Sequence, residues 1–184
     1  MKDEQEAQDV QSKESAGTSE DDLVLAICST MKNPSKDVLQ SWLSYHFSIG
    51  FSLVLLFLDD PSDDLSAATS EMVAKQFGGE VLITRHDERL RKEWESLTIF
   101  AEYRQKLDDQ MARQILNAEV AVGIARKKKI SWLLHIDGDE LFFTPALDAR
   151  PHFEMLSSKK NIYQAVYLNM EAMAEEEEPS EPFF

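Results

Sequence analysis

Four apolar runs divide the chain. Residues 23–28, 51–58, 81–84 and 130–136 are almost continuously hydrophobic and rich in Leu, Ile and Val. They are short for helices and lack the polar alternation of half-exposed strands, so each reads as a strand buried on both faces. The stretches between them carry helical spacing. Ser35 caps a helix whose apolar face includes Val38, Leu39, Trp42, Leu43 and His46, and Gly50 ends it. A second helix carries Leu65, Ala68, Met72 and Phe77 and stops at Gly78-Gly79. A third starts at Asp108 or Asp109 and runs through Ile115, Leu116, Ala118 and Val122. It closes on the cations from Arg126 to Lys129, which suit a helix C-terminus. Residues 87–107 are charged and aromatic and read as a helix or a long excursion, and residues 162–168 read as a fifth strand. This alternation of buried strands and helices predicts an α/β fold, a mostly parallel sheet with helices on both faces.

Composition narrows the picture. The 184 residues fit one domain with a sizeable core, and 43% hydrophobic with 29% charged content suits a globular body. The formal net charge is −15, and part of the excess sits at the ends. Residues 1–22 are polar and acidic, and Glu175 to Glu178 is a run of acids. Residues 1–22 and 171–184 therefore read as disordered acidic tails around a body at 23–170. Such acidity argues against nonspecific nucleic-acid binding, which relies on Lys and Arg neutralising phosphate. A bound nucleotide needs only local positive charge and a metal.

The single cysteine, Cys28, cannot form an internal disulfide and reads as a small buried apolar residue. One Cys and four scattered His build no zinc cluster. No run approaches the roughly 20 apolar residues of a membrane span. The N-terminus lacks the basic and apolar regions of a signal peptide, so the chain reads as soluble as written.

The chemistry concentrates after the fourth strand. In Trp132-Leu133-Leu134-His135-Ile136-Asp137-Gly138-Asp139-Glu140-Leu141-Phe142-Phe143, an apolar run meets three carboxylates within four residues. Acids packed so densely beside a buried strand repel one another and resist desolvation. A divalent cation is the simplest compensation, and Mg²⁺ or Mn²⁺ held by carboxylates commonly bridges to substrate phosphates. In extended geometry Asp137 and Asp139 share one face. The bland alternative is a solvated turn, but the flanking apolar residues favour a metal site at Asp137 and Asp139. Glu140 either supports that site or bonds a neighbouring backbone group.

Ligands of open α/β sheets bind beyond the carboxyl ends of the strands, where Asp59 and Asp60 also fall. The two are candidates for a ribose or base contact, against a reading as loop chemistry before Pro61. Arg85, His86, Arg89 and Arg91 form a basic island, and Arg113-Gln114 a polar pair on a helix. Arg suits diphosphate because its planar fork makes paired hydrogen bonds. For Arg89 and Arg91 an exposed helix face with carboxylate partners is favoured, and for Arg85 the two readings stay open. Tyr45 and His46, beside Trp42, read as packing residues, His135 as structural, and Lys127 to Lys129 as solvated.

The order of these pieces resembles glycosyltransferase family 92 and the related family-2-like proteins of GT-A fold. Trp42-Leu43-Ser44-Tyr45-His46 with Gly50 is similar to that family's Trp-x-x-Tyr-His-x-x-x-Gly helix end. Leu55 to Asp64 looks like its strand ending in Asp with a later Ser-x-Asp. Arg113-Gln114 with Asn117, then Trp132 to Glu140, is similar to its Asp-x-Asp-Glu block. The likeness runs from about Leu23 to Asn169. It implies a GT-A-like, Rossmann-like donor-binding half and a nucleotide-sugar donor, with a UDP-sugar expected. It also implies a Mn²⁺ or Mg²⁺ ion, a glycan or other hydroxyl acceptor, and inversion at the anomeric carbon. By analogy Asp139 ligates the metal and Asp137 reaches metal-bound water or ribose. Asp59 lies near the nucleoside, with Asp60, Arg85 and Arg113 among the donor-binding candidates.

Two departures shape this expectation. The acceptor half of a GT-A domain, with its general base, is expected after the metal motif, and the chain ends at Phe184, so no catalytic base is nominated. Family members commonly carry a membrane anchor and work in the Golgi or secretory pathway, and this chain shows no span. A noncatalytic nucleotide-sugar or metal-binding module is the alternative. An Asp-nucleophile phosphohydrolase fits less well, because Leu141 stands where that chemistry places Thr or Val. An EF-hand is excluded, since Leu141 and Phe143 occupy positions that need oxygen ligands.

Overall fold

The computed structural model describes residues 23–168. The expected acidic segments 1–22 and 171–184 lie outside the described residues. Within them, β1 (Leu25–Met31), β2 (Leu53–Leu58), β3 (Glu80–Arg85) and β4 (Trp132–His135) form one sheet in the order β3-β2-β1-β4. Every pairing is parallel, with Ala26 opposite Leu53, Val54 opposite Val81, and Leu25 opposite Trp132. This is the α/β architecture expected from the apolar runs.

Parallel strands need crossovers, and the helices supply them on both faces. α1 (Lys36–Ser48) and α2 (Asp64–Phe77) link the first three strands, and α5 (Gln110–Lys128) leads into β4. Residues 87–107 resolve into α3 (Glu88–Glu95) and a single turn, α4 (Phe100–Tyr103). A last helix, α6 (Arg150–Ser157), follows β4.

The two-residue period of the strands sorts the core into two layers. Leu25 and Ile27 of β1, with Val54, Leu56 and Leu58 of β2, pack with Leu39, Trp42, Leu43, Val73, Phe142 and Phe153. Ala26 and Cys28, with Leu53, Leu55 and Phe57, pack on the other face with Leu90, Trp94, Leu116, Val120 and Ala121. Cys28 is thus a buried core residue, and burial pushes its thiol pKa up to about 12, which keeps it protonated.

The caps follow the sequence. Ser35 accepts the Val38 N–H at the start of α1, Asp63 accepts the Ser66 N–H for α2, and Asp109 accepts the Met111 N–H for α5. Gly78 closes α2 in the left-handed region at φ 70°, a conformation that costs glycine little.

Three expectations need correction. The buried stripe of α2 is Ser66, Thr69, Ser70, Val73 and Ala74, whereas Leu65, Met72 and Phe77 are exposed. Small side chains let α2 lie close to its neighbours, so contact distance outweighs side-chain hydrophobicity there. Val38 likewise lies outside the α1 core face. Residues 162–168 form no strand, and Tyr163, Val166 and Leu168 are largely exposed. Among the described residues, no helix is long and apolar enough to cross a membrane.

Phe57 of β2 is buried in the layer it shares with residues of α3 and α5, and truncating it removes apolar contacts that the rigid sheet cannot close over. Phe57→Ala is therefore expected to cost about 3–5 kcal/mol in urea unfolding. Leu65→Ala, despite its place on the sequence-predicted apolar face, is expected to stay within about 0.5 kcal/mol.

Candidate functional site

All four strands point the same way, so their carboxyl ends share one edge. That edge carries Asp59 and Asp60 after β2, Arg85 and His86 at the end of β3, and Asp137 two residues after β4.

The Asp59 side chain is only 4% exposed, and its carboxylate is engaged by α5. Arg113 Nε donates to Oδ1 at 2.7 Å and Nη2 donates to Oδ2 at 2.6 Å, while Nη1 donates to the Leu107 carbonyl at 2.8 Å. His86 Nδ1 lies 3.4 Å from Asp59 Oδ1. Burial pushes the Asp59 pKa upward, but the hydrogen bonds and charge of Arg113, helped by His86, outweigh it and hold the carboxyl below its usual range. The Asp59 hydrogen bonds raise the Arg113 pKa against its own burial. Burial lowers the His86 pKa despite the neighbouring Asp59 charge, and its Nε2 has no hydrogen-bond partner among the described residues. A polar chain continues beneath this pair: Trp94 Nε1 donates to Asn117 Oδ1 at 3.1 Å, and Asn117 Nδ2 donates to Thr30 Oγ1 at 3.0 Å.

Asp60 is spent on its own loop. It accepts from the Ser62 N–H at 2.8 Å, from the Ser62 hydroxyl at 2.6 Å and from Asn33 at 3.1 Å. Those bonds to Ser62, then Asn33, bring its pKa down to about 2. Arg85 donates to the Pro61 carbonyl at 2.7 Å and to Asp64 at 2.8 Å. Asp64 is 91% exposed, and such surface pairs contribute little, so a ligand can displace it cheaply.

The acidic stretch is a turn rather than a continuing strand. Glu140 N–H donates to the Asp137 carbonyl at 3.2 Å, with Gly138 and Asp139 at the corner. Asp137 and Asp139 are thus related by a turn, which corrects the expectation of shared facing along an extended strand. The register with β1 ends at His135 opposite Cys28, with one further bond from the Ile136 N–H to the Cys28 carbonyl at 3.2 Å, while β1 itself continues to Met31. Glu140 Oε2 accepts the Asp137 N–H at 3.0 Å, so this side chain bonds a neighbouring backbone group. Gln114 Nε2 donates to Asp137 Oδ1 at 2.7 Å. Burial first, then the charges of Glu140 and Asp139, raise the Asp137 pKa, while His135 and Gln114 oppose the rise. Gly138 lies against β1: a Cβ there would stand 2.9 Å from Met31 Cγ.

Three side chains of α1 reach the exit of this turn. Trp42 Nε1 donates to the Glu140 carbonyl at 2.8 Å, and Tyr45 OH donates to the Phe142 carbonyl at 3.0 Å. His46 Nε2 accepts the Phe142 N–H at 3.3 Å, while Nδ1 lies 2.9 Å from the Trp42 carbonyl. A carbonyl only accepts, so Nδ1 carries the proton and the ring is neutral. Burial drives the His46 pKa down to about 4, against the bond to Trp42. The sequence shows these residues as packing groups. Their polar atoms have the further task of satisfying a backbone with no neighbouring strand.

The predicted site residues therefore form two groups. Arg113 and Gln114, adjacent on α5, tie Asp59 to Asp137 across β1. Arg85 lies on the far outer strand, about 14 Å from β4 at ordinary strand spacing. It lines a groove of about 740 Å³ beside β3, with Ile83, Arg89, Leu90, Glu93 and Ile124. Arg89 pairs with Glu93 at 3.6 Å and Lys128 with Glu80 at 3.1 Å, as exposed cations commonly do. Among the described residues, no group of three or more His, Cys, Asp or Glu side chains is placed to hold a metal ion. Neither Thr30 nor Trp94 stands out in the sequence. Polar Arg113 and Asn117 on the buried stripe of α5 were the available signal.

No protein-family model and no curated protein matches the chain. A solved structure described as "Crystal structure of an hypothetical protein" is similar at 10% identity and a TM-score of 0.28. The likeness covers 72% of this chain and 65% of that one, and is too weak to bear on fold or function.

Two outcomes follow from these contacts. Arg113→Met leaves the buried Asp59 carboxylate with only His86 beside it and is expected to cost about 3–5 kcal/mol in chemical denaturation, with the double variant Asp59→Leu/Arg113→Met recovering most of it. His46 has a folded pKa near 4, below its unfolded value of 6.5, so its contribution to stability is complete above the unfolded value. It is lost as pH falls toward the folded one, on the order of 3 kcal/mol in total. Unfolding midpoints at pH 7 and 4.5 should therefore converge more in His46→Gln than in wild type.

Proposed function

We propose that this chain is the donor-binding part of a metal-dependent glycosyltransferase, taking a nucleotide-sugar, UDP-linked by resemblance, for transfer to a hydroxyl acceptor. The observation that carries this reading is the joining of Asp59 and Asp137 by adjacent residues of α5, at the carboxyl edge of a parallel sheet. Open α/β sheets bind nucleotides at that edge.

A Mg²⁺ or Mn²⁺ ion fits the chemistry of the acidic turn. Such ions use one or two carboxylates and complete their shell with water and phosphate oxygens, so a preformed three-ligand cage is not required. Asp137 and Asp139 are both exposed and would hold the ion. Burial first, and then repulsion within the turn, raises the Asp137 pKa, and a cation would relieve the repulsion. When bound, the ion would neutralise negative charge on the departing nucleoside diphosphate.

The chain's own residues do the positioning. Gln114 fixes one oxygen of Asp137 and leaves the carboxylate turned toward the edge. Arg113 holds Asp59 rather than meeting a phosphate directly, because its fork is filled by Asp59 and the Leu107 carbonyl. Arg85 can leave exposed Asp64 for an anionic ligand, although its distance from the turn suits only an extended one. Turnover requires a base that this reading does not assign, and the compartment implied by resemblance is the secretory pathway.

Calorimetric titration of a UDP-sugar with excess Mn²⁺ tests the site. Asp139→Ala is expected to abolish the Mn²⁺-dependent component while leaving the fold intact; equal affinity in variant and wild type would contradict the assignment. Assaying UDP release with and without a hydroxyl acceptor separates a transferase from a module that binds without turnover.

A further inference from the structure

We infer that Trp42, Tyr45 and His46 are positioning residues, a clamp on α1 that sets the conformation of the acidic turn from its exit side. The three stand at i, i+3 and i+4, so one face of one helix presents all of them. Their polar atoms meet three backbone groups at the exit of the turn: the Glu140 carbonyl, the Phe142 N–H and the Phe142 carbonyl. These groups have left the sheet, since β4 ends at His135. Indole, imidazole and phenol take the place of a neighbouring strand.

The clamp is rigid at both ends. Trp42 and His46 are buried, with ring centroids 4.4 Å apart, and His46 also meets Phe51 edge-on at 5.9 Å. The Phe142 side chain is buried on the other side, stacked on Phe153 at 5.5 Å and edge-on to Phe51 at 5.9 Å. Phe142 is therefore fixed by its ring and by both its backbone polar groups. Only Leu141 separates it from Glu140, whose side chain holds the Asp137 N–H. The route from α1 to Asp137 runs through hydrogen bonds to the Glu140 and Phe142 backbone, the short covalent link between those residues, and the Glu140 side chain. Ordinary core packing would explain the burial of these rings. It would not require three different polar side chains to find three backbone partners in one short segment.

The clamp stands on these contacts alone, whereas its effect on a cation rests on the proposed function. The test uses residue-resolved amide exchange by NMR on the full chain, with Mn²⁺ affinity as a second readout. In His46→Phe, exchange at Phe142 and across residues 138–143 is expected to accelerate at least tenfold, with β1 and β2 amides unchanged. His46→Gln keeps an acceptor and should restore most of the protection. Tyr45→Phe, which removes one hydroxyl and leaves the ring, is the milder variant should His46→Phe fail to fold. It is expected to loosen the same segment and to weaken Mn²⁺ binding roughly threefold to tenfold, the range of one hydrogen bond. Unchanged exchange in the turn of Tyr45→Phe would overturn the inference, as would uniform acceleration across the whole sheet. If wild type binds no Mn²⁺, the metal reading fails and the exchange data alone decide the clamp.

Discussion

Three carboxylates within four residues repel one another, and the arrangement at the sheet edge is organised around holding them in place. Asp137 and Glu140 are linked by reciprocal bonds, the Glu140 N–H to one carbonyl and the Glu140 side chain to one N–H. Gln114 approaches from α5 and the three polar side chains of α1 from the opposite layer. The sheet lies between those two layers, so the turn is gripped from both. Without such supports, a segment carrying this much like charge would relax into solvent, where dispersal of charge is favoured.

The remainder of the edge uses a different solution to a similar problem. Asp59 is deeper than Asp137, and a buried carboxylate is tolerated only when paired and hydrogen-bonded. Arg113 meets both conditions by its bidentate fork. One helix therefore supplies a neutralising cation to the buried acid and a neutral amide to the exposed one. The contrast neutralises Asp59 and leaves the turn negatively charged. Neutral His46 and protonated Cys28 fit the same logic, since burial suppresses their charged forms.

Strands, crossovers and caps were legible in the sequence because each rests on local chemistry. Nearly continuous apolar runs, Ser35, Asp109 and Gly78 act within a few residues of themselves. The stripe of α2 was not legible, because Ser66, Thr69 and Ser70 are buried for their size rather than their hydrophobicity. The segment 162–168 has a strand's composition without a strand's partner, and pairing is a property of the sheet rather than of the run. At the site, the positions of Asp59, Asp137 and Asp139 followed from the strand ends. What Asp59 and Asp137 bond did not, because Arg113 and Gln114 reach them from positions distant in sequence. The polar work of Trp42, Tyr45 and His46 was hidden for the same reason, behind rings that suit a core.

Paramagnetic relaxation enhancement would locate the proposed cation. On adding Mn²⁺ with a nucleoside diphosphate, selective broadening is expected at Gly138, Asp139 and Glu140 and at the Gln114 side-chain amide, fading toward the amino ends of the strands. Broadening confined to the acidic residues of segments 1–22 and 171–184, with the turn unaffected, would contradict it.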